Sequence, residues 1–178
     1  MSFRVARQAA VSLMVAFGVA ACGGDATGPD GGGQGTGTIT ATVGGQNFNA
    51  SLATAATYTE NAQVGGVLSF AGTETTGAGS TRQLNVTISG INGPGTYNVG
   101  QGTSSIVVYV EATLTGGGVT TATWTSTLLA GAGTVTITEI SSNRAVGTFQ
   151  FTLVPSDQGA VGNKSVTSGK FNVAIQSN

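Results

Sequence analysis

The chain has 178 residues, of which 30 are glycine, 7% are charged and none is histidine. Six cations against seven acids give a formal charge of −1, which excludes the basic face that nucleic acid requires. Sparse charge with abundant Thr, Val and Gly also excludes charge-driven disorder and a helical bundle, for which Leu, Glu and Lys are too few.

Residues 1–7 carry Arg4 and Arg7 and no acid, and an uncharged apolar run follows from Ala9 to Ala21. A basic segment, a short apolar segment and small residues at its end form the pattern of an export signal. The run falls short of the roughly 20 apolar residues of a membrane span, so residues 1–21 are expected to be cleaved rather than folded. The run closes on Val19-Ala20-Ala21-Cys22, which resembles the lipobox of bacterial lipoproteins. That resemblance implies signal-peptidase recognition of Val19, Ala20 and Ala21, cleavage after Ala21, diacylglyceryl attachment to the Cys22 thiol and acylation of the new amine. Cys22 is the single cysteine, so no internal disulfide or thiolate metal cluster can form. Lipidation gives this otherwise unpaired exported thiol a use. Three acyl chains would anchor it firmly, at about 0.8 kcal/mol per buried CH2. Gly23, rather than an acid, follows the cysteine, and the sorting rule of some Gram-negative species then points to the outer membrane.

Residues 22–36 read as the lipidated cysteine and a Gly-rich tether, because 23–36 hold no aliphatic or aromatic residue larger than Ala. A flexible chain of this length reaches about 20 Å. Asp25 and Asp30 are two isolated acids on that chain and make weak metal ligands.

From Gly37 onward the hydrophobic period is two. Ile39, Ala41 and Val43 alternate with threonines, Gly44-Gly45 turns the chain, and Phe48, Ala50 and Leu52 alternate with Asn47, Asn49 and Ser51; this predicts a hairpin. Further strands are expected at Val67–Phe70, around Leu84, Val86 and Ile88, and at Tyr97 and Val99 after the Asn92-Gly93-Pro94-Gly95 turn. Ile106, Val108, Val110, Ala112 and Leu114 form the apolar face of a long strand, with Val107, Tyr109, Glu111 and Thr113 opposite. Strands at Val119–Leu128, Val135–Glu139, Val146–Val154 and Phe171–Ile175 complete the series. About ten short strands make residues 37–178 one all-β domain, an antiparallel β-sandwich or flattened barrel.

Several blocks within it resemble one family. They are Thr40-Ala41-Thr42-Val43-Gly44-Gly45-Gln46-Asn47-Phe48, the segment Gly93 to Gly100, Gly133 to Thr138, Gly147 to Thr152 and Val166 to Val173. Together they look like small Gram-negative bacterial lipoproteins of unknown function. The resemblance implies an all-β domain and carries no activity or site residues.

For catalysis without histidine, base work falls to Glu60, Glu74, Glu111, Glu139 or Asp157. Glu111 and Glu139 could face one another only if their strands pair, as a glycosidase needs. Lys164 and Lys170 lack a supporting nucleophile motif and are expected to blunt an edge strand. Trp124, Tyr97, Tyr109 and Tyr58 could stack on sugars if they shared an exposed face, but Trp124 is expected in the core. The expectation is a non-enzymatic binding or structural domain, lipid-anchored in the cell envelope, with no cofactor, no metal and no nucleic-acid partner. Its partners would be the membrane, through Cys22, and an envelope protein or polysaccharide. The alternative is a carbohydrate-binding module at the surface or in the periplasm.

Overall fold

The computed structural model describes residues 37–77 and 79–176, so the signal segment 1–21, Cys22 and the tether 23–36 lie outside the described residues. The period-two pattern becomes eleven strands. They are β1 (Gly37–Val43), β2 (Gln46–Asn49), β3 (Ala53–Thr59), β4 (Gly66–Gly77), β5 (Ser80–Ile91), β6 (Gly95–Gly100), β7 (Ile106–Thr115), β8 (Gly118–Ser126), β9 (Ala132–Ile140), β10 (Arg144–Pro155) and β11 (Lys164–Ala174). Every pairing is antiparallel.

The strand beyond the expected set is β3. Its sequence, Ala-Thr-Ala-Ala-Thr-Tyr-Thr, contains no large aliphatic residue, and it is extended because it pairs along its whole length with β4. The expected second strand is correspondingly shorter: β2 ends at Asn49, and Leu52 is 55% exposed.

Six strands, in the order β6-β9-β10-β11-β1-β2, form one layer, and five, in the order β3-β4-β5-β7-β8, form the other. They join where the end of β10 bonds to β8, with Val154 opposite Thr125 and Pro155 opposite Trp124. The result is one antiparallel sheet folded over its own core. Phe70 of the five-strand layer stacks on Phe171 of the six-strand layer at 4.5 Å between ring centres and lies 6.0 Å from Phe149. The layers cross rather than align. Along β2 and the turn before it, Asn49 reaches Glu74 on β4, Asn47 meets Arg82 on β5, and Gly44 lies against the stem of Lys164, which reaches Glu111 on β7. Such crossing is the orthogonal form of sheet packing, with a corner made by a strand that serves both layers.

The apolar face of β7 turns out to be the outer one. Directly opposed residues share a face of an antiparallel sheet, and the register sets Tyr109 against Leu84 and Trp124, and Val107 against Val86. Leu84, Val86, Val107 and Tyr109 are at most 1% exposed, whereas Ile106 is 42% and Leu114 61% exposed. Two apolar faces competed for the core, and the neighbouring strands decided between them.

Candidate functional site

One step along β4, β5 and β7 from the buried row Gly72, Leu84 and Tyr109, the same inward face carries Glu74, Arg82 and Glu111, opposed in register. Strands β3 and β8 contain no charged residue, so every charge in the five-strand layer points inward. Lys164, at the start of β11, enters this row from the other layer. Acid and base therefore alternate across the mouth of the sandwich.

Each group is engaged. Glu74 is 6% exposed, is paired with the Arg82 guanidinium and accepts the Asn49 backbone N–H at 2.7 Å. Arg82 donates further to the Gln46 side-chain oxygen and the Asn47 carbonyl. Glu111 accepts from Lys164 Nζ at 2.5 Å and from the Tyr109 hydroxyl at 3.0 Å. Lys164 Nζ also sits 3.6 Å from the centre of the Trp124 ring, where a partly desolvated cation gains up to about 2 kcal/mol. Trp124 is fixed by donating its indole N–H to the Gly162 carbonyl at 2.9 Å. Burial, and next the charge of Glu111, push the Tyr109 phenol well above its ordinary range, with Arg82 pulling weakly the other way. Removing charges from water is costly and is offset only when partners are well placed; this alternating row supplies them.

Above the row lies a cleft of about 310 Å3, roofed by Val43, Gly44 and Gln46 of the β1–β2 hairpin and floored by Thr81, Glu111 and Lys164 among others. Mouths of small β structures are a preferred place for ligand sites. Hydroxyl, amide, carboxylate and ammonium groups all line this one, so it can both donate and accept hydrogen bonds.

The candidate residues distribute as follows. Val19, Ala20, Ala21 and Cys22 lie outside the described residues. Glu111 and Glu139 are not brought together: β9 pairs with β6 and β10 rather than with β7, and Glu139 lies 3.8 Å from Arg144. Lys164 does not blunt an edge, because β11 is flanked by β1 and β10 on its two sides. Lys170 shares that interior strand and is exposed. Asp157 accepts the backbone N–H groups of Gly159 and Ala160 at 2.9 and 3.0 Å. A hydrogen bond with the Thr123 side chain, followed by the backbone bonds, holds its carboxyl below the usual range. Glu60 is exposed. Trp124 is in the core as expected, and Tyr109 joins it, while Tyr58 and Tyr97 are half-buried. The four aromatics thus share no exposed face.

Sequence reasoning named Glu74, Glu111 and Lys164 as separate candidates, but neither Arg82 nor the row that joins the four. One signal was available: Glu74 and Arg82 stand on consecutive strands, β4 and β5, at positions that oppose in a hairpin. The link to Glu111 and Lys164 spans distant chain segments and has no local signature.

Among the described residues no group of three His, Cys, Asp or Glu side chains could hold a metal ion. A family model described as a domain of unknown function (DUF6252) matches residues 35–174. No curated protein and no solved structure matches the chain.

Proposed function

We propose, for a chain that belongs to the DUF6252 family of domains of unknown function, a lipid-anchored protein of the cell envelope whose β domain binds or scaffolds without catalysing a reaction. The lipid anchor rests on the order of features at the N-terminus: Arg4 and Arg7, the uncharged run to Ala21, then Val19-Ala20-Ala21-Cys22. Gly23 favours the outer membrane as the destination.

The binding reading is carried by one observation, the cleft at the mouth of the sandwich. Its carboxylate, Glu111, is already held by Lys164 and Tyr109, and Glu74 beneath is held by Arg82 and Asn49. Acids locked in this way favour recognition over proton transfer, since a general acid or base must reach the proton it moves. The carbohydrate-module alternative draws no support from the aromatic side chains, because Trp124 and Tyr109 are buried.

Metabolic labelling with palmitate tests the anchor. The wild-type chain is expected to take up label and to fractionate with outer membranes. Cys22→Ser is expected to lose the label and accumulate as the longer precursor. An unlabelled wild-type protein, or a Cys22→Ser variant labelled as strongly as wild type, would sink the proposal.

A further inference from the structure

The five-strand layer is charged inside and uncharged outside, the reverse of an ordinary soluble sheet. Glu74, Arg82 and Glu111 are the charged residues of its strands, and all face the core. Its outer face runs in uncharged rows such as Ala55, Ala71, Asn85, Val108 and Thr125. Along β7, the fourth of its five strands, passes an apolar stripe from Ile106 through Val108, Val110 and Ala112 to Leu114, which Val119 of β8 extends sideways. Ile106, Leu114 and Val119 are 42%, 61% and 65% exposed. By contrast, the six-strand layer presents exposed Glu139, Arg144 and Lys170.

We propose that this uncharged outer face is a self-association surface, on which a second copy of the chain packs its own β3–β4–β5–β7–β8 layer about a twofold axis. Three observations select that occupant. The face carries no cation, so it has nothing to attract anionic headgroups, which interfacial binding relies on. It carries no aromatic ring: Tyr58 and Tyr109 alternate onto the inner side of their strands, opposite Leu68 and Leu84, so a polysaccharide finds no stacking platform. The strands of a second copy bring no charge of their own to this face, Asp157 standing beside it where its carboxylate is tied to Thr123 of β8, and a twofold contact needs only a patch complementary to itself.

The size also fits. A face of five strands, which run from 7 to 12 residues, covers ~800 Å2 at the usual spacings, matching the ~800 Å2 per partner of a stable interface. Small and β-branched side chains on both faces suit sheet-on-sheet packing about 10 Å apart. This proposal goes beyond the binding cleft, whose charged lining of Arg82, Glu111 and Lys164 faces the inner side of the layer, while Thr81 and Ala112 of the outer face reach only its rim.

Sedimentation equilibrium of the full chain in density-matched detergent tests it. Wild type is expected at twice the mass of one chain. Val110→Arg, which puts a charge in the middle of the stripe, is expected at the mass of one chain. Asn85→Lys, a half-exposed polar position on the neighbouring strand, provides a second route to the same result should Val110→Arg fail to fold. Thr148→Arg, exposed on the six-strand layer, is expected to remain dimeric and controls for added charge. A wild-type protein with the mass of one chain overturns the proposal, and so does a dimer that survives both charges on the face. A one-chain species whose Val110→Arg form loses binding to zwitterionic lipid vesicles would also overturn it, by giving the face to the membrane.

Discussion

Tyr109 sits where the core gives way to the ionic row. Its ring packs against Phe48 and Trp124, while its hydroxyl donates to Glu111. Burial and the nearby carboxylate disfavour the phenolate, so the folded phenol holds its proton past the ordinary value of 10.0. The unfolded chain ionises first. The contribution is therefore fully present below about pH 10 and is lost as pH rises from there towards the folded value. Urea midpoints followed from neutral pH into this alkaline window should fall for wild type. They should fall less steeply for Tyr109→Phe, which starts lower by the hydrogen bond it gives up, about 1 kcal/mol. Equal slopes for the two would show that Tyr109 does not couple to folding. The burial of Trp124 was legible from its residue type alone. The place of Lys164 was not, because its partner Glu111 lies 53 positions away and no local pattern joins the two.

At the scale of elements, the β1–β2 hairpin is the part read most directly from sequence. Gly44 and Gly45 both take positive φ, 56° and 82°, as the two-residue turns that match strand twist require. Nothing lies within 4 Å of a Cβ built on Gly45, so a substitution there reports backbone strain without a clash. Gly45→Val should cost about 1–2 kcal/mol, and Gly45→Asn clearly less, since Asn tolerates that region. Denaturant midpoints of the two variants settle it; a Gly45→Val protein as stable as wild type would rule out strain at this turn. Other elements were less legible for physical reasons. β3 lacked the hydrophobic alternation that marks a strand and is extended through its hydrogen bonds to β4. β7 was recognised as a strand, but both of its faces are apolar, and only its register with β5 and β8 shows which one is buried.

For the whole molecule, the all-β class and an antiparallel two-layer core followed from composition and periodicity, but the pairing of distant strands did not. β1 lies between β2 and β11, so the first and last described strands are neighbours. Alternation along a strand carries no information about such a partner. The meeting of Lys164 with Glu111 and the cleft beside them join distant segments in the same way, which is why neither was visible in the sequence.

The scarcity of cations has a consequence of a different kind. In residues 37–176 every Lys and Arg lies within a strand: Arg82 in β5, Arg144 in β10, and Lys164 and Lys170 in β11. Proteolytic nicking concentrates at exposed loop tips, and the loops of this domain offer trypsin no residue it recognises. The native domain should stay intact under trypsin at concentrations that degrade it once urea has unfolded it. A less selective enzyme should nick the native domain first around Leu128-Leu129, 56% and 83% exposed. Digestion resistance of this sort comes from where the charges were placed, and a protein could keep it through large changes in overall stability.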